Sequence, residues 1–269
     1  MADYGDAVGG VDVDLGDGAA DEDGHGATDD VTRVEQVAGS GFADDLAGGD
    51  GDDELMGGEG DDVLSGGGGD DRLQGGSGSD TVDYGALETG VDVDLAAGEA
   101  SDDGQGGSDV LGGMEDVVGS GGADAIAGDG DRNTLAGGPG EDEVAGGGGP
   151  DSLSGGDGVD VLTYEDAPGG VTANLRRADA RDDGTGAVDS LGGFERVIGS
   201  AFDDALVGDS FSNLLRGGPG ADRLAGGVGS DRLEGGPGPD DLDGGPGTDT
   251  CLGNEGSDRL DRCEAAVQE

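Results

Sequence analysis

An all-β chain, wound as a solenoid of short parallel strands, is the fold class this sequence predicts. Three observations carry that expectation: an unusual composition, a period of nine residues, and a second period of 80 residues. The chain has 269 residues, of which 67 are Gly and 64 are Asp or Glu against 12 basic residues, for a formal charge of −52. Aromatic residues make up only 3% and Trp is absent, which is too little bulk for an ordinary α/β or helical core. Such a chain stays disordered unless something else binds it, and a multivalent cation is the obvious ligand. The acid is 49 Asp and 15 Glu, and every basic residue is Arg. Short carboxylates next to glycine suit hard cations held in tight turns. Adaptation to high salt also raises acidity, but it does not require the acids to be periodic. A nucleic-acid partner is excluded by the charge and by the lack of any basic stripe.

The nine-residue period justifies the strands. From Gly48 the chain reads GGDGDDELM, GGEGDDVLS, GGGGDDRLQ and GGSGSDTVD, preceded by the degenerate GSGFADDLA. The same phase returns over 119–163 and 199–261, giving 17 units. Position six is Asp in 15 of them and Asn at Asn133 and Asn213, so the spacing of the acids is strict. Position eight is aliphatic throughout, except for Cys251. Nine residues fit no amphipathic helix of useful length. The pattern predicts a six-residue turn followed by a three-residue strand whose middle side chain points inward. Outward positions such as Arg72, Arg223, Arg232 and Arg259 then offset the surface acidity.

The 80-residue period justifies the spacers. Tyr4, Tyr84 and Tyr164 match, as do Gly39, Gly119 and Gly199. Between the nonapeptide blocks lies a unit of about 35 residues. It holds an alternating strand (Val91, Val93, Leu95 in the second copy), an acidic glycine turn (Asp103, Gly104, Gly106, Asp109) and a closing strand around Glu35, Glu115 and Glu195. With no visible linker, the expectation is one continuous solenoid over 1–269. Its blocks are 3–83, 84–163 and 164–261, with a C-terminal cap over 250–269.

The chemistry follows from stacking. If successive strands alternate between two parallel sheets, turn n lies on turn n+2 about 4.8 Å away. Two carboxylates at that spacing repel unless a cation sits between them. With turn carbonyls they form an all-oxygen set that suits calcium far better than zinc or copper.

GGEGDDVLS and its siblings resemble the hemolysin-type calcium-binding nonapeptide of the repeats-in-toxin (RTX) family, G-G-x-G-x-D-x-U-x. The resemblance implies a parallel β-roll with calcium in its turns, secretion, and folding triggered by calcium outside the cell. The stronger sites pair Asp53 with Asp71, Asp62 with Asp80, Asp142 with Asp160, Asp222 with Asp240, Asp231 with Asp249, and Asp240 with Asp258. Asp151 is a further candidate ligand. Weaker sites involve Asp44, Asp124, Asp204, Asn133 and Asn213, where Phe42, Phe202, Phe211 or Asp131 interrupts the turn or Asn replaces Asp. Roughly six to eleven calcium ions are expected on this count.

Cys251 and Cys263 are the only cysteines. They are read as a disulfide closing the solenoid's end, with free thiols as the alternative; too few other ligands surround them for a two-Cys metal site. No HExxH, GxSxG or Cys/His pairing occurs, and the lone His25 has Gln105 and Thr185 at the equivalent places, so no enzyme activity is expected. The start MADYGDAVGG has no signal-like segment and no apolar run reaches membrane-span length. The ending EAAVQE lacks an apolar export tail. The expectation is an extracellular, non-catalytic module, with two settings open: the repeat portion of a larger secreted protein with another domain upstream, or a stand-alone adhesion, matrix or surface protein facing an extracellular surface or polysaccharide. A salt-adapted structural solenoid without a calcium switch is the weaker alternative.

Overall fold

The computed structural model describes residues 1–268. Almost all regular structure is β-strand, joined by one 3-10 turn at Leu175–Arg177. No helix among the described residues is long and apolar enough to cross a membrane. The chain divides into two compact units, Met1–Gly128 and Asp129–Glu269.

In the first unit consecutive nonapeptide strands fall in different sheets. Asp45–Ala47 pairs in parallel with Val63–Ser65, and Glu54–Glu59 with Arg72–Ser77. The registers Leu46↔Leu64 and Leu55↔Leu73 put each strand against the one two units later. The second unit repeats this with Thr134–Gly140 on Ser152–Gly158 and with Arg223–Ala225 on Asp241–Asp243. Most strands are three residues with only the middle side chain buried, as alternation requires. Several are longer than expected: Arg72–Ser77 and Ser152–Gly158 run on into the glycines of the next turn. There Gly58 pairs with Gly76 and Gly138 with Gly156, because bare backbone stacks closely enough to continue the ladder.

The middle side chains make the core. Leu46, Leu55, Leu64, Leu73, Leu135, Leu206, Leu215, Leu233 and Leu242 are all fully buried. Burying each contributes on the order of 2 kcal/mol. Leu260 departs from the pattern and is only half-buried, because its strand Arg259–Asp261 ends its sheet. The arginines do point outward: Arg72 approaches Glu54 at 3.8 Å, and Arg259 meets Asp241 at 3.1 Å.

The spacers contain an antiparallel excursion that the periodicity did not reveal. Asp92–Asp94 turns back into Glu99–Asp102, which pairs antiparallel with it and then with Asp109–Gly112. The reversal is closed by Gly98, at φ 71°, whose N–H donates to the carbonyl of Asp94. Asp109–Gly112 then rejoins the parallel stack, with Leu111 opposite Leu73. The third block does the same through Thr172–Asn174, Asp179–Asp182 and Asp189–Gly192.

Candidate metal centre

The turns are laid directly on one another. At Gly76 (φ 122°) a Cβ would overlap the carbonyl oxygen of Gly58, and at Gly78 (φ 156°) that of Gly60. Only glycine adopts this backbone at this distance, which is why positions two and four are glycine in the regular units.

Position six forms a ladder along the stack. The Asp53 N–H donates to Asp71 Oδ1 at 2.8 Å, and Asp62 N–H to Asp80 Oδ1 at 2.9 Å. In the second unit Asp142 is bonded in this way to Asp160, Asp222 to Asp240, Asp231 to Asp249 and Asp240 to Asp258, at 2.9–3.1 Å. All six pairs read from the sequence are therefore neighbours on a ladder. Asp151 stands on one too, accepting from Asn133 N–H at 2.9 Å.

Each such carboxylate thus has one oxygen fixed by the turn beneath. The second oxygen is buried and meets no hydrogen-bond donor at Asp62, Asp71, Asp80, Asp151, Asp160, Asp222, Asp231, Asp240 and Asp249. These residues are at most 4% exposed. Loss of water is the main cause that lifts the carboxyl pKa values of Asp62, Asp71, Asp151 and Asp222, and neighbouring carboxylates add to it. Asp71, Asp151 and Asp222 are pushed up to about 7, and Asp62 to about 6. A buried anionic oxygen with no donor is costly, and a protonated acid or a bound cation relieves it.

A hard divalent cation fits this donor set. Every donor is oxygen: carboxylates of stacked turns plus turn carbonyls such as those of Gly58 and Gly60. Among the described residues no three acidic, His or Cys side chains are gathered into a ready-made cage, so backbone oxygens must supply much of any coordination shell. When bound, calcium would cancel the charge of the paired carboxylates, and the chain's own part is to hold them in register.

The first units of each block are built differently. Asp44 accepts from the N–H and hydroxyl of Ser40 and from Val11 N–H. Asp204 has the same three donors from Ser200 and Val171, and Asp124 from Ser120 and Val91. Serine at position two replaces glycine and satisfies these carboxylates with protein donors. In the second units Gly49 N–H donates to Asp53 Oδ2, and the neutral Asn133 and Asn213 accept from Asp129 and Asp209. Phe42, Phe202 and Phe211 lie half-exposed or more at the turn surface.

Sequence reasoning missed the rungs that the spacers add. Asp71 N–H donates to Asp109 Oδ1 and Asp151 N–H to Asp189 Oδ1, both at 3.1 Å. Glu115, Glu195 and Glu264 take the position-six place on the other ladders, accepting from Asp80, Asp160 and Asp249. The signal was present as an acid two residues before the inward aliphatic, as in Asp109-Val110-Leu111. Tyr84 donates its hydroxyl to Asp109 Oδ2 at 2.9 Å.

Cys251 and Cys263 are bonded, with Cα atoms 5.9 Å apart, and there is no free cysteine among the described residues. Cys251 is fully buried at a core position.

The model of the RTX calcium-binding nonapeptide repeat family matches residues 38–73, 56–86, 111–144, 118–153, 136–166, 198–233 and 226–260. No curated protein matches the chain. Among solved structures, the extracellular lipase LipA from Serratia marcescens is similar, at 18% identity and a TM-score of 0.28. That match covers 78% of this chain and 32% of the lipase, so the chain spans about a third of that protein's length. The repeat match extends over more than half of the sequence and falls on the stacked turns described above. The chain belongs to the RTX calcium-binding nonapeptide repeat family.

Proposed function

We propose that this chain is a calcium-triggered folding module of a secreted protein, with no catalysis of its own. The observation that carries the reading is the ladder of buried position-six carboxylates in the regular units. At Asp62, Asp71, Asp80, Asp151, Asp160, Asp222, Asp231, Asp240 and Asp249 one oxygen is held by the neighbouring rung and the other has no donor. In low calcium these charges oppose stacking, and the glycine-rich chain has too little apolar bulk to overcome them. In millimolar calcium the paired carboxylates are neutralised and the turns lock in register. Roughly six to eleven ions would act together. The disulfide Cys251–Cys263 agrees with an oxidising, extracellular setting.

Burial argues against salt adaptation as the explanation of the acidity. A salt-adapted surface keeps its acids in water, whereas Asp62, Asp80 and Asp160 are 0% exposed. The test is far-UV circular dichroism during a calcium titration, with magnesium and sodium chloride as controls. A cooperative gain of β signal between roughly 0.1 and 1 mM calcium, absent with magnesium, is expected. A chain already folded in excess chelator removes the switch.

A further inference from the structure

The spacer turn of the second block imitates a nonapeptide while lying outside the matched repeats, which stop at 86 and resume at 111. Its residues 104–112 stack on the turn of 66–74. Leu111 faces Leu73, Asp71 N–H donates to Asp109, and Ser108 N–H donates to Asp70 Oδ1 at 3.0 Å. What sets it apart from the nonapeptide units is a fully buried acid just before the turn; Glu234 and Asp243, which precede the units at 235 and 244, are only half-buried. Asp103 is fully buried, and its Oδ1 accepts from the N–H groups of Gln105, Gly106 and Gly107 at 2.7, 2.8 and 2.9 Å. Its Oδ2 is buried with no donor at all.

That bare oxygen faces a gap left by glycine. A Cβ on Gly107 would overlap the carbonyl oxygen of Gly69 and stand 2.8 Å from Asp103 Oδ2. The Asp71 carboxylate, whose Oδ2 is likewise without a donor, belongs to the turn on which this one stacks. A buried carboxylate oxygen and a turn carbonyl therefore meet beside Gly107, against the turn that carries Asp71.

The corresponding place in the third block is closed. Asp183 is equally buried, but the Thr185 hydroxyl donates to both of its oxygens at 2.8 Å, and Ala187 stands where the second block has Gly107. In the first block Asp23 is only half-buried and its neighbour Asp29 is exposed. One turn thus occurs in three chemical versions, and only in the second does the acid that opens it keep a buried oxygen with no donor.

We propose that the second-block spacer completes a divalent-cation site of the calcium class with the turn of 66–74. Asp103 Oδ2 and the Gly69 carbonyl are ligands beside Asp71, and in the third block the Thr185 hydroxyl takes the ion's place. The proposal rests on the calcium reading above, since it takes the same ion. It predicts that the spacers are not equivalent, which the repeat pattern by itself does not.

The test is an ion count by native mass spectrometry on the full chain with its disulfide intact, titrated with calcium chloride. Asp103→Asn is expected to carry one ion fewer than wild type at saturation. Gln105→Thr, which transplants the hydroxyl of the third block, is expected to lose the same ion while keeping every charge, and it serves if Asp103→Asn does not fold. Asp183→Asn is expected to keep the full count. Retention of the wild-type count in both second-block variants overturns the proposal, as does loss of an ion in Asp183→Asn. A wild-type chain that takes up no calcium instead overturns the calcium reading itself.

Discussion

Neutralising one ladder carboxylate, Asp222→Asn, separates the charge of the ladder from its shape. Asparagine keeps an oxygen to accept the Asp204 N–H, which now donates to Asp222 Oδ1 at 2.8 Å, so the rung survives. In chelator the substitution removes a buried anion. The Asp222 carboxyl is pushed from 3.8 to about 7, first by loss of water and then by Asp204 and Asp240. A folded-state value above the unfolded one means that the charged form opposes folding, fully so above pH 7. At pH 8 this shift corresponds to at most about 4 kcal/mol, which the variant recovers. In 10 mM calcium the variant also loses ligand from the two sites that share the residue. For dissociation constants of 0.1–1 mM, each lost ion forfeits about 1.4–2.7 kcal/mol, so the two cancel most of the gain. The assay is urea unfolding followed by circular dichroism at pH 8, in sodium sulfate to populate the folded state without calcium. The expected result is a higher midpoint than wild type in chelator and a difference near zero in calcium. A lower midpoint in chelator would refute the reasoning, because the carboxylate would then be stabilising without a cation.

Three further outcomes follow from the same structure. Acid should partly replace calcium: Asp71, Asp151 and Asp222 sit near 7 and Asp62 and Asp189 near 6, so their opposition to folding fades as pH falls from 8 towards 4. Circular dichroism in chelator should gain β signal over that window, and a flat or falling signal contradicts this. Reducing Cys251–Cys263, whose sequence separation is 12, should cost about 3 kcal/mol and raise the calcium midpoint, read by the same titration with and without reductant. Leu64→Ala, at a fully buried core position, should lower stability in calcium by about 2–5 kcal/mol, whereas Val8→Ala at a 72% exposed site should change nothing measurable.

How much of this could be read from the residues depends on what each one contributes to the period. The nonapeptides were legible because Asp62 and Leu64 mark the turn and the strand in every unit, and the 18-residue register follows from two alternating sheets. The strand Glu99–Asp102 was not, because Ala100 is its one buried side chain and gives no alternation to see. Asp109 and Glu115 were not read as rungs because each stands alone, without the regular Gly-Gly start that marks the other units. The structure also explains why the first unit of each block looks degenerate. Ser40, Ser120 and Ser200 supply donors that the regular units lack, so the carboxylates of those turns are hydrogen-bonded within the protein. Cys251 interrupts the aliphatic row because it is bonded to Cys263, a pairing already legible in the position of the two cysteines near the end of the repeat.

The central claim is that the stacked turns need calcium to hold their register. Hydrogen–deuterium exchange with mass spectrometry, in chelator and in 5 mM calcium, reads that register directly, because the position-six N–H groups are the ladder donors. Peptides covering 48–86, 137–166 and 208–261 should be protected in calcium and exchange at the unprotected rate in chelator. Equal protection in both buffers would contradict the account.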